Sequence, residues 1–181
     1  LLRCIVAVAQ EAPFRHMHTP GGHRMSVSMT NCGACGWITD ARGYRYGDLD
    51  PESRKPWPSL PGAIALVANG AATTAGYAGF HADACLLNRY EPGARMTLHQ
   101  DRNEVDFTQP IVSISLGLPA EFQFGGLLRT DPVKRVRLMH GDVVVWGGPS
   151  RLFHHGVLTL KSGEHPLTGH RRFNLTLRKA L

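Results

Sequence analysis

Residues 171–179, RRFNLTLRK, set Arg172, Asn174, Thr176 and Arg178 at one series of alternate positions and Phe173, Leu175 and Leu177 at the other. Successive side chains of a β-strand point to opposite faces, so the segment reads as a strand with one apolar face and one face bearing two guanidinium groups. Such a strand has two ordinary fates. It lies at a solvent-facing edge with its arginines in water, or it faces inward, where two cations need an anionic occupant. A dicarboxylic molecule satisfies the second case, because guanidinium groups bind carboxylates bidentately.

The rest of the second half carries the same signature. From residue 84 onward ACLLNRY, IVSISLGL, AEFQFGG, KRVRLMH, GDVVVWGG and RLFHHGVL read as short strands, most of them parted by Gly, Pro or Asp. Many short strands at this spacing imply a sandwich or a barrel. Upstream, SLPGAIALVANGAATTAG has Pro near its start and apolar residues at Ile64, Val67, Ala68, Ala71 and Ala75, which predicts a helix within residues 59–76. Residues 1–58 are rich in Gly, Pro, Met and aromatics, with turn signals at TPGG, NCGACG, ARGY and RKPWP around short runs such as HRMSVSMTN. They read as a loop-rich cover. A chain of 181 residues, 43% hydrophobic, supplies one domain, with expected divisions at 1–58, 59–83 and 84–181.

A net charge of +6 favours an anionic partner, of which nucleic acid is the commonest. Cys4, Cys32, Cys35 and Cys85 do not make a disulfide scaffold at this length, and a reducing compartment suits them better. Cys32-Gly-Ala-Cys35 has the spacing of a zinc or redox site but lacks a second pair to complete a tetrahedron, so packing is the expected role. No run approaches the roughly eighteen apolar residues of a membrane span. LLRCIVAVAQ is too short and interrupted for a signal peptide. The chain, which begins at Leu1, reads as soluble and cytoplasmic.

In RMTLHQDRNE, His99 and Asp101 stand two residues apart at the end of a predicted strand and share its face. A second histidine from SRLFHHGV, either His154 or His155, would complete the two-histidine, one-carboxylate arrangement of non-haem Fe(II) oxygenases. By itself H-x-D is a short motif, matched equally by a surface histidine beside a solvated aspartate.

The longer pattern is more specific. TPGGHRMSVSMTNCG, KPWP, NRYEPGARMTLHQDRNE, PIVSISLGLPAEFQFGG, HGDVVVWGGPSRLFHHG and RRFNLTLR together resemble the AlkB family of Fe(II)- and 2-oxoglutarate-dependent dioxygenases, closest to the bacterial enzymes that repair alkylated nucleobases. The resemblance implies a mainly β fold, a double-stranded β-helix or jelly-roll barrel beneath an N-terminal nucleotide-recognition lid. It implies His99, Asp101 and His155 as the ligands of catalytic iron, with His154 only a neighbour. Arg172 and Arg178 are implied to anchor 2-oxoglutarate, assisted by Asn88, Tyr90 and Asn174, and Arg151 to hydrogen-bond Asp101 from behind. Trp37 matches a base-stacking position, with His99 as the opposite face, and Met25 and Met29 are expected to line the same pocket. Thr19, Tyr44 and Arg129 match phosphate-contacting positions, a surface that Arg95, Arg102, Lys134, Arg135 and Arg137 would extend.

The implied reaction is oxidative dealkylation of N-alkylated bases such as 1-methyladenine, 3-methylcytosine and etheno adducts. It consumes O2 and 2-oxoglutarate and releases the aldehyde, succinate and carbon dioxide. The implied partner is DNA, single-stranded or with its base flipped out, and RNA as a further candidate; no membrane or protein partner is implied. The same iron chemistry on a protein or small molecule, and a non-catalytic jelly-roll binding module, are the rival readings. One departure stands out: Asn103 replaces an aspartate that bacterial members place two residues after the metal aspartate and that is implied to contact the base.

Overall fold

A computed structural model describes residues 1–181. The chain opens with helix α1, Leu2–Glu11, then forms β1, Ser28–Gly33, and a hairpin of β2, Gly36–Asp40, and β3, Gly43–Gly47. Helix α2, Gly62–Thr74, precedes the strand-rich half. That half comprises β4 (Ala84–Tyr90), β5 (Met96–His99), β6 (Ile111–Gly117), β7 (Ala120–Phe124), β8 (Lys134–Leu138), β9 (Val143–Trp146), β10 (His155–Val157) and β11 (Arg172–Arg178). The expected strands are all present, and β11 spans the alternating segment.

The major sheet runs β1-β4-β11-β6-β9 and the minor sheet β5-β10-β7-β8, antiparallel throughout. They face one another as a double-stranded β-helix, and the alternation along each strand of the major sheet divides the interior in two. Leu86, Tyr90, Phe122, Leu138 and Val157 fill the space between the sheets. Cys85, Leu87, Val112, Ile114, Leu175 and Leu177 point the other way, onto the helices. Helix α2 contributes Ile64, Ala68 and Ala72, spaced four apart on one stripe, and the small alanines let it lie close to the sheet. The expected helix is therefore found, but Ala72 replaces Ala75 in the buried stripe because the helix stops at Thr74.

The first 58 residues are more than a cover. Helix α1 buries Ile5 and Val8 in the same layer as α2, and β1 is an edge strand of the major sheet, paired in register from Ser28↔Arg89 to Gly33↔Ala84. Its amphipathic spacing is short and lacks a capping side chain, so local signals for α1 are weak; packing on the sheet stabilises it. The hairpin β2-β3 reaches the segment after β5, through Trp37 to Asn103 and Tyr46 to Glu104. No helix is long and apolar enough to cross a membrane.

Candidate active site

Strand β11 is central in the major sheet, which settles the fate of its polar face. Arg172, Asn174, Thr176 and Arg178 all line one cavity between the sheets, together with Asn88, Tyr90, His99, Ser113, Trp146 and His155. Register explains the grouping: Arg172 lies opposite Tyr90, and Asn174 opposite Asn88.

His99 ends β5 and His155 opens β10, and the two are direct cross-strand partners with ring centroids 4.4 Å apart. Asp101 lies just past the end of β5, so its position beside the histidines is held by contacts rather than by strand geometry. His99 Nε2 is 3.7 Å from Asp101 Oδ1 and His155 Nε2 is 3.7 Å from Asp101 Oδ2. The three donor atoms all fall within 4.8 Å of one another. His154 turns away, its Nδ1 facing the Gly126 carbonyl at 3.3 Å, and His155 is the histidine that groups with His99 and Asp101.

The tautomers suit a metal. Nδ1 of His99 faces the Thr97 carbonyl at 2.8 Å and Nδ1 of His155 faces the Phe153 carbonyl at 3.0 Å. A carbonyl only accepts, so each Nδ1 carries the proton and each Nε2 offers a lone pair toward Asp101. Burial, then the neighbouring His99, pushes His155 down to about 4 against the pull of Asp101, which keeps its ring neutral. Burial alone would raise Asp101, but the Arg178 charge, followed by His155 and His99, holds its carboxyl well below the usual range. The result is two imidazole Nε2 atoms and one carboxylate converging on one point, the donor set of a non-haem iron site.

Arg151 does not reach the Asp101 carboxylate as expected. Its Nη1 donates to the Asp101 main-chain carbonyl at 2.8 Å, its Nε to the Gln109 carbonyl at 2.9 Å, and its Nη2 to Glu104 at 3.1 Å. Arg178 holds the carboxylate instead, through Nε at 2.9 Å and Nη2 at 2.6 Å. Glu104 also receives the Tyr46 hydroxyl at 2.6 Å and lies 3.4 Å from Arg178. Glu104 lies in an irregular stretch with no periodic signal, and the sequence suggested it only as a neighbour of Asn103; Tyr46, on β3, was passed over.

Arg172 is only 1% exposed, yet it meets no carboxylate. Nη1 donates to the Leu118 carbonyl at 3.3 Å and Nη2 to Ser115 Oγ at 2.8 Å, while Nε has no partner. Burial pulls its basicity down, opposed by Tyr90 and Asp142. Arg178 Nη1, Asn88 Oδ1 and Trp146 Nε1 are likewise buried without partners. A buried unpaired cation is costly, so two guanidinium groups with spare donors around one cavity fit a small dicarboxylate.

The residues expected to contact the nucleotide take varied positions. Trp37, on β2, stacks on Tyr44 of β3 with centroids 5.7 Å apart and planes 19° from parallel, and its Nε1 donates to Asn103 Oδ1 at 3.4 Å. Met29 is wholly buried among the inner core rather than on an open wall, because β1 belongs to the sheet. Met25 and Trp37 pack against that core half-buried. Thr19 spends its hydroxyl on the His23 N–H of its own turn, and Arg129 donates to the Leu98 carbonyl beside His99.

Comparison with known proteins agrees with this geometry. The 2OG-Fe(II) oxygenase superfamily matches residues 1–178. Over 180 residues the chain is 61% identical to the alpha-ketoglutarate-dependent dioxygenase AlkB of Salmonella typhimurium, covering 99% of this chain and 83% of that protein. It is 35% identical over 122 residues to the nucleic acid dioxygenase ALKBH1 of Mus musculus, covering 67% of this chain and 31% of that protein. The structure of OsALKBH1 superimposes with a TM-score of 0.84 at 29% identity, over 98% of this chain and 88% of that one. The chain thus belongs to the AlkB group of the 2OG-Fe(II) oxygenase superfamily, an enzyme that works with Fe(II), 2-oxoglutarate and O2.

Proposed function

We propose that the protein oxidatively dealkylates N-alkylated bases, among them 1-methyladenine, 3-methylcytosine and etheno adducts, in DNA and, as a second substrate, RNA. The observation that carries the nucleobase reading is the bond from Trp37 Nε1 to Asn103, two residues past Asp101, which ties an aromatic ring to the segment that carries a candidate metal ligand. The net charge of +6 and the names of relatives that act on nucleic acid support the same reading. A base presenting its alkylated pairing edge to this site must be single-stranded or flipped out of the duplex.

His99, Asp101 and His155 would hold the iron, and Arg172 and Arg178, assisted by Asn88, Tyr90 and Asn174, the two carboxylates of 2-oxoglutarate. When bound, that pair with O2 supplies the oxidising power, which at an N-methyl group hydroxylates the carbon. The hydroxyalkyl amine then breaks its C–N bond. For a methyl group the products are formaldehyde, the restored base, succinate and carbon dioxide, with no need of a nucleophilic side chain. The chain's own part is placement: Arg178 orients Asp101, the Nδ1 bonds of both histidines orient their rings, Trp37 stacks on the base, and Asn103 offers an oxygen to its exocyclic amine. Four free cysteines, Cys32 and Cys35 among them buried in separate packing clusters, support a reducing, cytoplasmic setting.

Mass spectrometry of methylated and etheno-adducted oligonucleotides, single- and double-stranded, incubated with enzyme, Fe(II) and 2-oxoglutarate tests the proposal. Loss of the alkyl mass with stoichiometric succinate is expected. If no alkylated oligonucleotide is repaired or stimulates succinate release, the substrate belongs to another class.

A further inference from the structure

His140 lies outside the cavity, in the turn between β8 and β9, and no part of the reaction uses it. Its Nδ1 nevertheless accepts a hydrogen bond from the Gly117 N–H at 2.9 Å. Gly117 ends β6 directly opposite Arg172, but the bond across to β11 is made by Leu118, whose N–H donates to the Arg171 carbonyl at 3.1 Å. The Gly117 N–H therefore faces away from β11, and the β6–β9 pairing ends at Ile114↔Val143, so no strand carbonyl meets it. His140 satisfies this donor, with the proton of its ring on Nε2.

The Leu118 carbonyl, two peptide units beyond the bond to His140, and the Ser115 side chain of the same strand end hold Arg172. The Leu118 carbonyl accepts from Arg172 Nη1 and Ser115 Oγ from Nη2, and these are the guanidinium's only hydrogen-bond partners in the protein. On the opposite side there is no room for a side chain. At Gly117, whose φ is +89°, a Cβ would lie 2.4 Å from the Arg171 carbonyl oxygen and 2.5 Å from Thr168 Oγ1. His140 is itself fixed by a parallel stack on His165, centroids 4.6 Å apart and planes 15° from parallel. Its turn is tied to β6 by Ser115 N–H to the Asp142 carbonyl at 2.9 Å and Gly141 N–H to the Ser115 carbonyl at 2.7 Å.

We propose that His140 is a positioning residue for 2-oxoglutarate: by accepting the Gly117 N–H it fixes the Leu118 carbonyl and hence the guanidinium of Arg172 for a co-substrate carboxylate. It touches neither co-substrate nor metal. The proposal rests on the assignment of Arg172 to that carboxylate.

Asparagine at 140 places Oδ1 where Nδ1 stands and keeps the acceptor. Glutamine carries its oxygen one bond too far, and alanine has none. Calorimetric titration of 2-oxoglutarate into the Fe(II)-loaded protein without oxygen reads the effect directly. His140→Ala and His140→Gln are expected to raise Kd roughly tenfold, the loss of about one hydrogen bond's worth of positioning, with His140→Asn within about twofold of wild type. In steady-state turnover KM for 2-oxoglutarate should rise while kcat at saturation and KM for the oligonucleotide stay put. Should the alanine variant not fold, the contrast between asparagine and glutamine decides. Wild-type Kd in both the alanine and glutamine variants, or equal Kd for asparagine and glutamine, overturns the proposal. Arg172→Met is the control. If it weakens 2-oxoglutarate while the His140 variants do not, His140 alone is wrongly assigned; if it leaves Kd unchanged, the inference fails at Arg172.

Discussion

Arg178 donates to a single oxygen of Asp101, Oδ2, through both Nε and Nη2, at 2.9 and 2.6 Å. The carboxylate is therefore pinned at one oxygen while Oδ1 stays open toward His99. One arginine thus serves the candidate metal ligand and, through its unpaired Nη1, the cavity proposed for the co-substrate. Arg178→Ala would leave Asp101 and Glu104 as buried anions short of a partner, a change that costs about 3–5 kcal/mol. Arg178→Lys keeps the charge but cannot make both bonds and reach the cavity as well. Both variants should lose Fe(II) and 2-oxoglutarate affinity together, by tenfold or more for lysine, read by calorimetry and thermal unfolding. Weakened 2-oxoglutarate binding with unchanged Fe(II) affinity would show that the clasp on Asp101 is unimportant.

His99→Ala, Asp101→Ala and His155→Ala should each abolish succinate release, because each removes one of three donors on a shared point. His154→Ala should keep most of it, since that ring faces the Gly126 carbonyl. An inactive His154→Ala beside an active His155→Ala would reverse the assignment.

Gly156 follows the metal histidine where β10 crosses β5, and a Cβ there would lie 2.7 Å from the Met96 carbonyl oxygen and 3.1 Å from Leu98 N. These are backbone atoms and cannot swing aside. Gly156→Ala should force β5 and β10 apart, cost about 1–3 kcal/mol and separate His99 from His155. Reduced Fe(II) affinity alongside a lowered Tm is expected; a stable variant with normal metal binding would refute the close-packing account.

Asn103 keeps an oxygen for a base amine but lacks the charge an aspartate would bring, and its buried neighbour Glu104 is committed to Tyr46, Arg151 and Arg178. Bases methylated at N1 of adenine or N3 of cytosine are cationic, etheno adducts neutral, so a carboxylate at 103 would favour the former. Asn103→Asp should raise the kcat/KM ratio of 1-methyladenine over ethenoadenine in competition at one salt concentration. A ratio that stays or falls defeats the charge argument.

Away from the site, Arg15 and Asp50 form a two-bond ion pair, with Nη2 to Oδ2 at 2.7 Å, and Asp50 also accepts the Glu52 N–H at 2.9 Å. Burial acts to raise the Asp50 carboxyl, but the Arg15 bonds and then the Glu52 N–H outweigh it and hold it below its usual value. A depressed folded-state pKa means that the stabilisation is complete above the unfolded value of about 3.9 and drains away as pH falls through the folded one. Urea unfolding of wild type and Asp50→Asn should differ by about 1.5–3 kcal/mol near neutrality, a gap that shrinks as pH falls from about 4 through the lower folded value. A pH-independent gap would mean that the ion pair is not its source.

What could be read before folding was whatever a strand writes locally. The alternation of Arg172, Asn174, Thr176 and Arg178 with Phe173, Leu175 and Leu177 is a two-residue period, and it announced both the strand and its polar face. His99 and Asp101 were visible because they are near neighbours in the chain, and the extended likeness to AlkB enzymes supplied His155. Tertiary structure decided what the period cannot say: that β11 is central, so its arginines face a cavity and not water. It also decided that Arg178, not Arg151, holds the Asp101 carboxylate, that Glu104 ties together Tyr46, Arg151 and Arg178, and that α1 and β1 belong to the core. Those contacts join residues dozens of positions apart through irregular segments, where neither a repeat nor a turn preference marks which side chains will meet. Only the closing of the two sheets brings them within hydrogen-bonding reach.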